Sequence, residues 1–290
     1  MAQQLAQIKL SQAFNVSRFK GTYYLVGYVA RLDNTGEPFW EITLSDASGN
    51  LKIYCRDESC IFSELQPQSL VDVEIRAEFM GNQPHFRCKF IQLNTISVDH
   101  LKCLFQLPSA LCPIIGAVTE LVDIVEGIKE ACLHVFVKQV LLQPRIGINF
   151  IQSPGSLRHH HNYRGGLLVH SLEVAAQFVS DDYITQQDRD LGIVASLLHD
   201  IGKTQTLTPT LKRSDLGYLV DHDQLTLEVC APALHVLEKT HLGHANHLRH
   251  VWTCASQGAR YGFKAKTPVA NLLRKYDRAS AYARNDARVR

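Results

Sequence analysis

The sequence predicts a two-domain protein in which a five-stranded β-barrel precedes an all-α domain. Two observations carry this. Before about residue 100, short runs rich in β-branched and aromatic residues alternate with turn signals; from about residue 116 onward, apolar residues recur at helical spacing. The 290-residue length leaves room for two cores. The expected division is residues 1–100 for the barrel, 101–115 for a linker and 116–290 for the helices.

The strand candidates are TYYLVGYVARL, PFWEITLSD, LKIYCRD, LVDVEIRAEF and HFRCKFIQLNTISV, punctuated by Asn34-Thr35-Gly36-Glu37-Pro38 and Ser48-Gly49-Asn50. LPSALCPIIGAV reads as a linker entering a helix. Further on, Leu167, Leu168, Leu172, Val174 and Ala175 form one apolar-periodic run, which turns His170 inward. Ile193, Val194, Ala195, Leu197 and Leu198 form another, closed by His199 and Asp200, with Gly202 expected as the helix C-cap.

These helices bring chemistry with them. His170, His199, Asp200 and a late Asp277 in NLLRKYDRASA combine imidazole and carboxylate, a donor set that suits a divalent ion. A lone His on an apolar face is ordinarily a hydrogen-bonded core residue. An adjacent His-Asp pair is harder to bury, because an unpaired carboxylate is costly without a compensating cation or network. Metal-dependent phosphoester hydrolysis is the expected chemistry, with Lys203 placed to meet a substrate phosphate.

The run HHHNYRGGLLVHSLEVA, then LLHDIGK, then the late Asp, resembles the HD superfamily of metal-dependent phosphohydrolases. The HHxYRGGLLxH form resembles its YhaM-type 3′→5′ exoribonuclease branch, and related HD modules accompany relaxases on conjugative elements. The resemblance covers roughly residues 150 to 280 and extends more weakly to the N-terminal region, which in that branch is an OB-fold. It implies His170, His199, Asp200 and Asp277 as ligands of a first metal, Asp200 as a bridge to a second, and His222 as a further ligand. The implied cofactor is divalent, Mn²⁺ first, with Mg²⁺, Fe²⁺ and Ni²⁺ as alternatives, and one or two ions.

The chain departs from that pattern at Ser256-Gln257-Gly258, where two-metal members carry His-His-Gly. Neither Ser nor Gln is a usual ligand. His241, His244, His247 and His250 recur at a spacing of three and read either as a replacement donor or as a solvent-facing stripe. His159, His160 and His161 match the family motif; His160 and His161 are expected either to support or protonate near the leaving group or to sit in an exposed loop. Arg164, before Gly165-Gly166, is expected to meet a phosphate.

A small barrel ahead of a phosphohydrolase suggests an OB-like fold that stacks bases on aromatics. Tyr24, Tyr28, Trp40 and Tyr54 are the candidates, with Phe39 and Phe86, although alternation turns some of them inward. Arg260, Lys264 and Lys266 open a basic C-terminal stretch that would draw a polyanion toward Asp277.

A net charge of +2 and 46% hydrophobic content describe an ordinary globular chain. No apolar run reaches bilayer length, so a cytoplasmic protein without a membrane partner is expected. The eight cysteines contain no CxxC pair, which argues against a zinc ribbon; reduced thiols are expected, without a function. Single-stranded RNA or DNA is the expected partner, and a homo-oligomer is left open. The reading is a metal-dependent 3′→5′ exonuclease. The alternatives are a phosphohydrolase of a small nucleotide and a catalytically degenerate HD adaptor that binds nucleic acid in mobile-element DNA processing.

Overall fold

A computed structural model describes residues 7–80, 83–95, 101–255 and 262–282. The chain forms two compact units, residues 1–111 and 112–290.

The first unit is a closed barrel built from β1 (Arg18–Leu32), β2 (Pro38–Asp46), β3 (Gly49–Cys55), β4 (Ser69–Met80) and β5 (Gln83–Leu93), in the order β1-β2-β3-β5-β4. All five expected strands are present. β1 closes the sheet because its first half pairs with β4 and its second half with β2. β3 and β5 meet in parallel at Tyr54 and Arg87. This is the OB-like topology. Alternation fills the interior with Ile42, Leu44, Ile53, Val71, Val73 and Ile75. The β2–β3 turn is tied by the buried Asp46 carboxylate, which accepts from the backbone N–H groups of Ser48, Gly49 and Leu10.

Two expectations change here. Tyr24 offers no face to a base, because it lies where β1 passes from one partner strand to the other. A bulge between Leu25 and Gly27 breaks the alternation, and Tyr23, Tyr24 and Leu25 are all buried in succession. Phe86 is buried in the core as well. The segment read as a linker also contributes to packing. Two short 3₁₀ turns, Leu104–Gln106 and Ser109–Leu111, belong to the first unit; Leu104 and Leu107 are buried, and Phe105 accepts a hydrogen bond from the Ala47 N–H.

The second unit is helical: α1 (Ala117–Glu126), α2 (Ala131–Leu141), α3 (Ile146–Gln152), α4 (Gly166–Val179), α5 (Gln186–Leu198), α6 (Lys203–Thr206), α7 (His222–Thr253) and α8 (Pro268–Tyr282). α5 is the central element, with every residue from Asp190 to Leu198 buried. It packs closely on α4 because Gly192 has no side chain; a Cβ there would lie 2.1 Å from the Phe178 ring. α8 covers α4 and α5. Among the described residues no helix is long and apolar enough to cross a membrane. All eight cysteines are free thiols.

Candidate metal centre

Two helices and the end of a third converge on a single point. α4 presents His170, the end of α5 presents His199 and Asp200, and α8 presents Asp277. His170 Nε2 lies 3.1 Å from both His199 Nε2 and Asp277 Oδ1, and 3.7 Å from Asp200 Oδ2. His199 Nε2 lies 3.5 Å from Asp200 Oδ2 and 3.7 Å from Asp277 Oδ1.

The hydrogen bonds behind the two imidazoles fix their tautomers. His199 Nδ1 meets the Ser196 carbonyl at 2.7 Å, and a carbonyl only accepts, so Nδ1 carries the proton. Ser280 Oγ donates to Glu173 Oε2 at 2.7 Å; its oxygen therefore accepts from His170 Nδ1 at 3.0 Å. In the neutral state both Nε2 atoms then bear lone pairs, and they face each other beside two carboxylates. Such a position takes a proton or a metal ion.

Charge tells the same story. Burial by itself would lower the His199 imidazole, but Asp200 and Asp277 outweigh it and lift it to about 9. Burial dominates at His170 and lowers it. Burial opposes ionisation of Asp200 and Asp277 too, yet Lys203 with the surrounding histidines holds the Asp200 carboxyl, and His170 with His199 the Asp277 carboxyl, below the usual range. Donors about 2.0–2.2 Å from one ion stand about 2.8–3.6 Å apart at octahedral to tetrahedral angles. The observed spacing, 3.1–3.7 Å, lies close to that window.

Asp200 also faces the other way. Its Oδ1 lies 3.3 Å from His222 Nε2, which in turn lies 3.3 Å from Asp223 Oδ1. His222 Nδ1 bonds Asp221 at 2.7 Å, an orienting carboxylate of the kind that holds ligating histidines. Asp200, His222 and Asp223 thus form a second donor group that shares Asp200 with the first. Asp221 and Asp223 escaped the sequence reading, although the Asp221-His222-Asp223 triplet is visible in it.

Local backbone choices hold these groups in place. Gly202 is not a left-handed C-cap: its φ is −58°, and it begins α6. Its lack of a side chain matters for a different reason, since a Cβ would lie 2.1 Å from the His222 carbonyl oxygen. Gly166 is constrained in the same way by the His161 carbonyl, and Gly165 takes the left-handed φ of 84° that starts α4.

A pocket of about 410 Å³ opens over the donors, and His160, Lys203, His222 and Arg274 are among its lining. Lys203 Nζ donates to Asp200 Oδ2 at 2.6 Å. His160 is exposed at the rim. His161 is only 3% exposed; it lines the pocket, beside the His170 ring and within 3.4 Å of both Ser280 Oγ and Glu173 Oε2. Arg164 is a correction: its guanidinium donates to Gln152 Oε1 at 2.6 Å and is not among the pocket lining. Lys264 and Lys266 are exposed and do not line the pocket either. Arg274, from the same basic stretch, does line it, donating to the Cys254 and Ala255 carbonyls. Arg260 and Ser256-Gln257-Gly258 lie outside the described residues. None of His241, His244, His247 and His250 lines the pocket.

On the barrel, Tyr28 and Trp40 are half-buried and meet edge to face at 5.4 Å, with the Tyr28 hydroxyl donating to the Leu65 carbonyl. Tyr54 stands on the opposite, outer side of the sheet, stacked on His85 at 4.2 Å and flanked by Phe39, over which Arg56 lies.

No family model matches the chain. It is 32% identical over 97 residues, 29% of its own length and 39% of the relative's, to the dihydroneopterin 2′,3′-cyclic phosphate phosphodiesterase of Methanocaldococcus jannaschii. It is 25% identical over 202 residues, 67% of its own length and 63% of the relative's, to the 3′-5′ exoribonuclease YhaM of Listeria innocua serovar 6a. The chain spans less than two thirds of the length of either curated relative. Both relatives carry the names of phosphodiester-cleaving enzymes.

Proposed function

We propose that this protein is a metal-dependent 3′→5′ exonuclease acting on single-stranded nucleic acid. The observation that carries the reading is the convergence of His170, His199, Asp200 and Asp277 on one ion-sized position beneath an open pocket. The pocket's size suits one nucleotide. The likeness to an exoribonuclease points to the end of a strand as its occupant.

A bound divalent ion, Mn²⁺ by preference, would supply Lewis acidity toward the phosphoryl oxygens and a more acidic water. His170, His199 and Asp200 would hold it with Asp277 beside the two imidazoles, and His222 and Asp223 would offer a second position through Asp200. Lys203 keeps one Asp200 oxygen engaged and places its positive charge where phosphoryl charge develops. Water adds to the terminal phosphorus, the bond to the 3′-oxygen breaks, and that oxygen takes up a proton. His160, exposed at the pocket rim, is the residue placed to hold that proton. The outer face of the barrel, with Tyr54, His85 and Phe39 beside Arg56, would carry the rest of the strand by stacking and phosphate contact.

The likeness to a cyclic phosphate phosphodiesterase favours a second reading, a small nucleotide in the same pocket. A time course on 5′-labelled single-stranded RNA and DNA with Mn²⁺, Mg²⁺ or chelator separates them. A ladder shortening from the 3′ end, lost in the His199→Ala, Asp200→Ala double variant, is expected. Intact strands under every metal, with turnover of a 2′,3′-cyclic nucleotide, would replace the exonuclease by the second reading.

A further inference from the structure

Away from the pocket, the donor side chains of Glu130, Cys132 and His241 lie within 4.8 Å of one another. They come from distant parts of the chain. Glu130 is the residue before α2 and Cys132 is in its first turn, whereas His241 interrupts α7. That interruption has no proline behind it: the backbone stays helical at Pro232 and leaves the helical region at His241, with φ −138° and ψ 59°. α7 bends at the histidine that faces the start of α2, and the two helices pack together.

The platform on the α2 side is rigid. The Asp190 carboxylate, 1% exposed, accepts from the backbone N–H groups of Lys129 and Glu130 at 2.9 and 2.7 Å. Glu130 makes no side-chain cap to α2, its carboxylate forms no ion pair among the described residues, and it accepts from the Cys132 thiol at 3.5 Å. A carboxylate, a thiol and an imidazole are three ligand types of zinc. His244, one turn beyond the bend, stacks on His241 at 5.9 Å and is the nearest additional imidazole on α7.

We propose that Glu130, Cys132 and His241 bind one Zn²⁺, which fastens the bend of α7 to the start of α2, with water or His244 in the fourth position. This site differs in kind from the groups His170, His199, Asp200 and Asp200, His222, Asp223, whose donors are nitrogen and oxygen only. A sulfur ligand gives Co²⁺ a near-ultraviolet charge-transfer band, so Co²⁺ titration of the full metal-free chain reads a thiolate site, and Cys132→Ser decides whether it is this one. The expected result is one equivalent of cobalt with that band, displaced by Zn²⁺, absent in Cys132→Ser and unchanged in His199→Ala. His241→Ala, at an exposed position, should weaken the band's titration at least about tenfold. No band in the wild-type chain, or a band that persists in Cys132→Ser, would overturn the proposal; the second result would assign it to another cysteine.

Discussion

Ser280 has no metal-binding atom of note, yet it should govern metal affinity. Its hydroxyl is the acceptor that keeps the proton on His170 Nδ1, and the hydroxyl is itself oriented by donation to Glu173. In Ser280→Ala the buried Nδ1–H has no acceptor, and the proton is free to move to Nε2, where it competes with the ion. Loss of an orienting partner of this kind weakens metal binding by about 10–100-fold, or about 1.4–2.8 kcal/mol. Glu173 itself suffers less, because its side chain is 23% exposed and water can replace the hydroxyl. Calorimetric titration of Mn²⁺ into the metal-free chain measures the effect, with Ser280→Thr as the variant that keeps the hydroxyl and restores affinity. Affinity within twofold of the wild type in Ser280→Ala would refute the tautomer argument. Equal loss in both variants would show that packing rather than the hydroxyl matters.

Lys203→Met should lower kcat on labelled strands by about 100-fold with little change in KM; a raised KM at full kcat would make Lys203 a binding contact only. Gly202→Ala should cost about 1–3 kcal/mol, because the new Cβ meets a backbone carbonyl that cannot swing aside. A thermal midpoint lowered by about 2–12 °C is the expected reading, and an unchanged midpoint would deny the close approach of Gly202 to His222. Tyr54→Ala should weaken single-strand binding by about 1–3 kcal/mol in an anisotropy titration, leaving the single-turnover rate at saturation intact. A slowed single-turnover rate would tie Tyr54 to the pocket instead of the strand.

The cluster of His170, His199 and Asp200 was legible because helix geometry and burial make a polar group in an apolar run improbable without a compensating partner. His170 is polar in an otherwise apolar run, and His199-Asp200 ends another. The five strands were legible from alternation and from turn residues such as Gly36, whose φ is 85°. What stayed hidden depends on contacts between segments far apart in sequence. Ser280 reads as one small residue on a basic amphipathic helix, and its bond to His170 spans 110 positions. Tyr24 reads as an outward strand aromatic until the change of partner along β1 buries it. Arg164 stands beside the glycines of the motif, but Gln152, on the preceding helix, takes its guanidinium. His222 is the instructive intermediate. Its neighbours Asp221 and Asp223 look like solvating acids, since adjacent residues on a helix do not share a face. Here, however, Asp221 precedes the helix in extended conformation, with φ −77° and ψ 143°, and only the first turn begins at His222. The chain therefore wraps both carboxylates around one imidazole, an arrangement available at a helix start and closed to the same triplet in mid-helix.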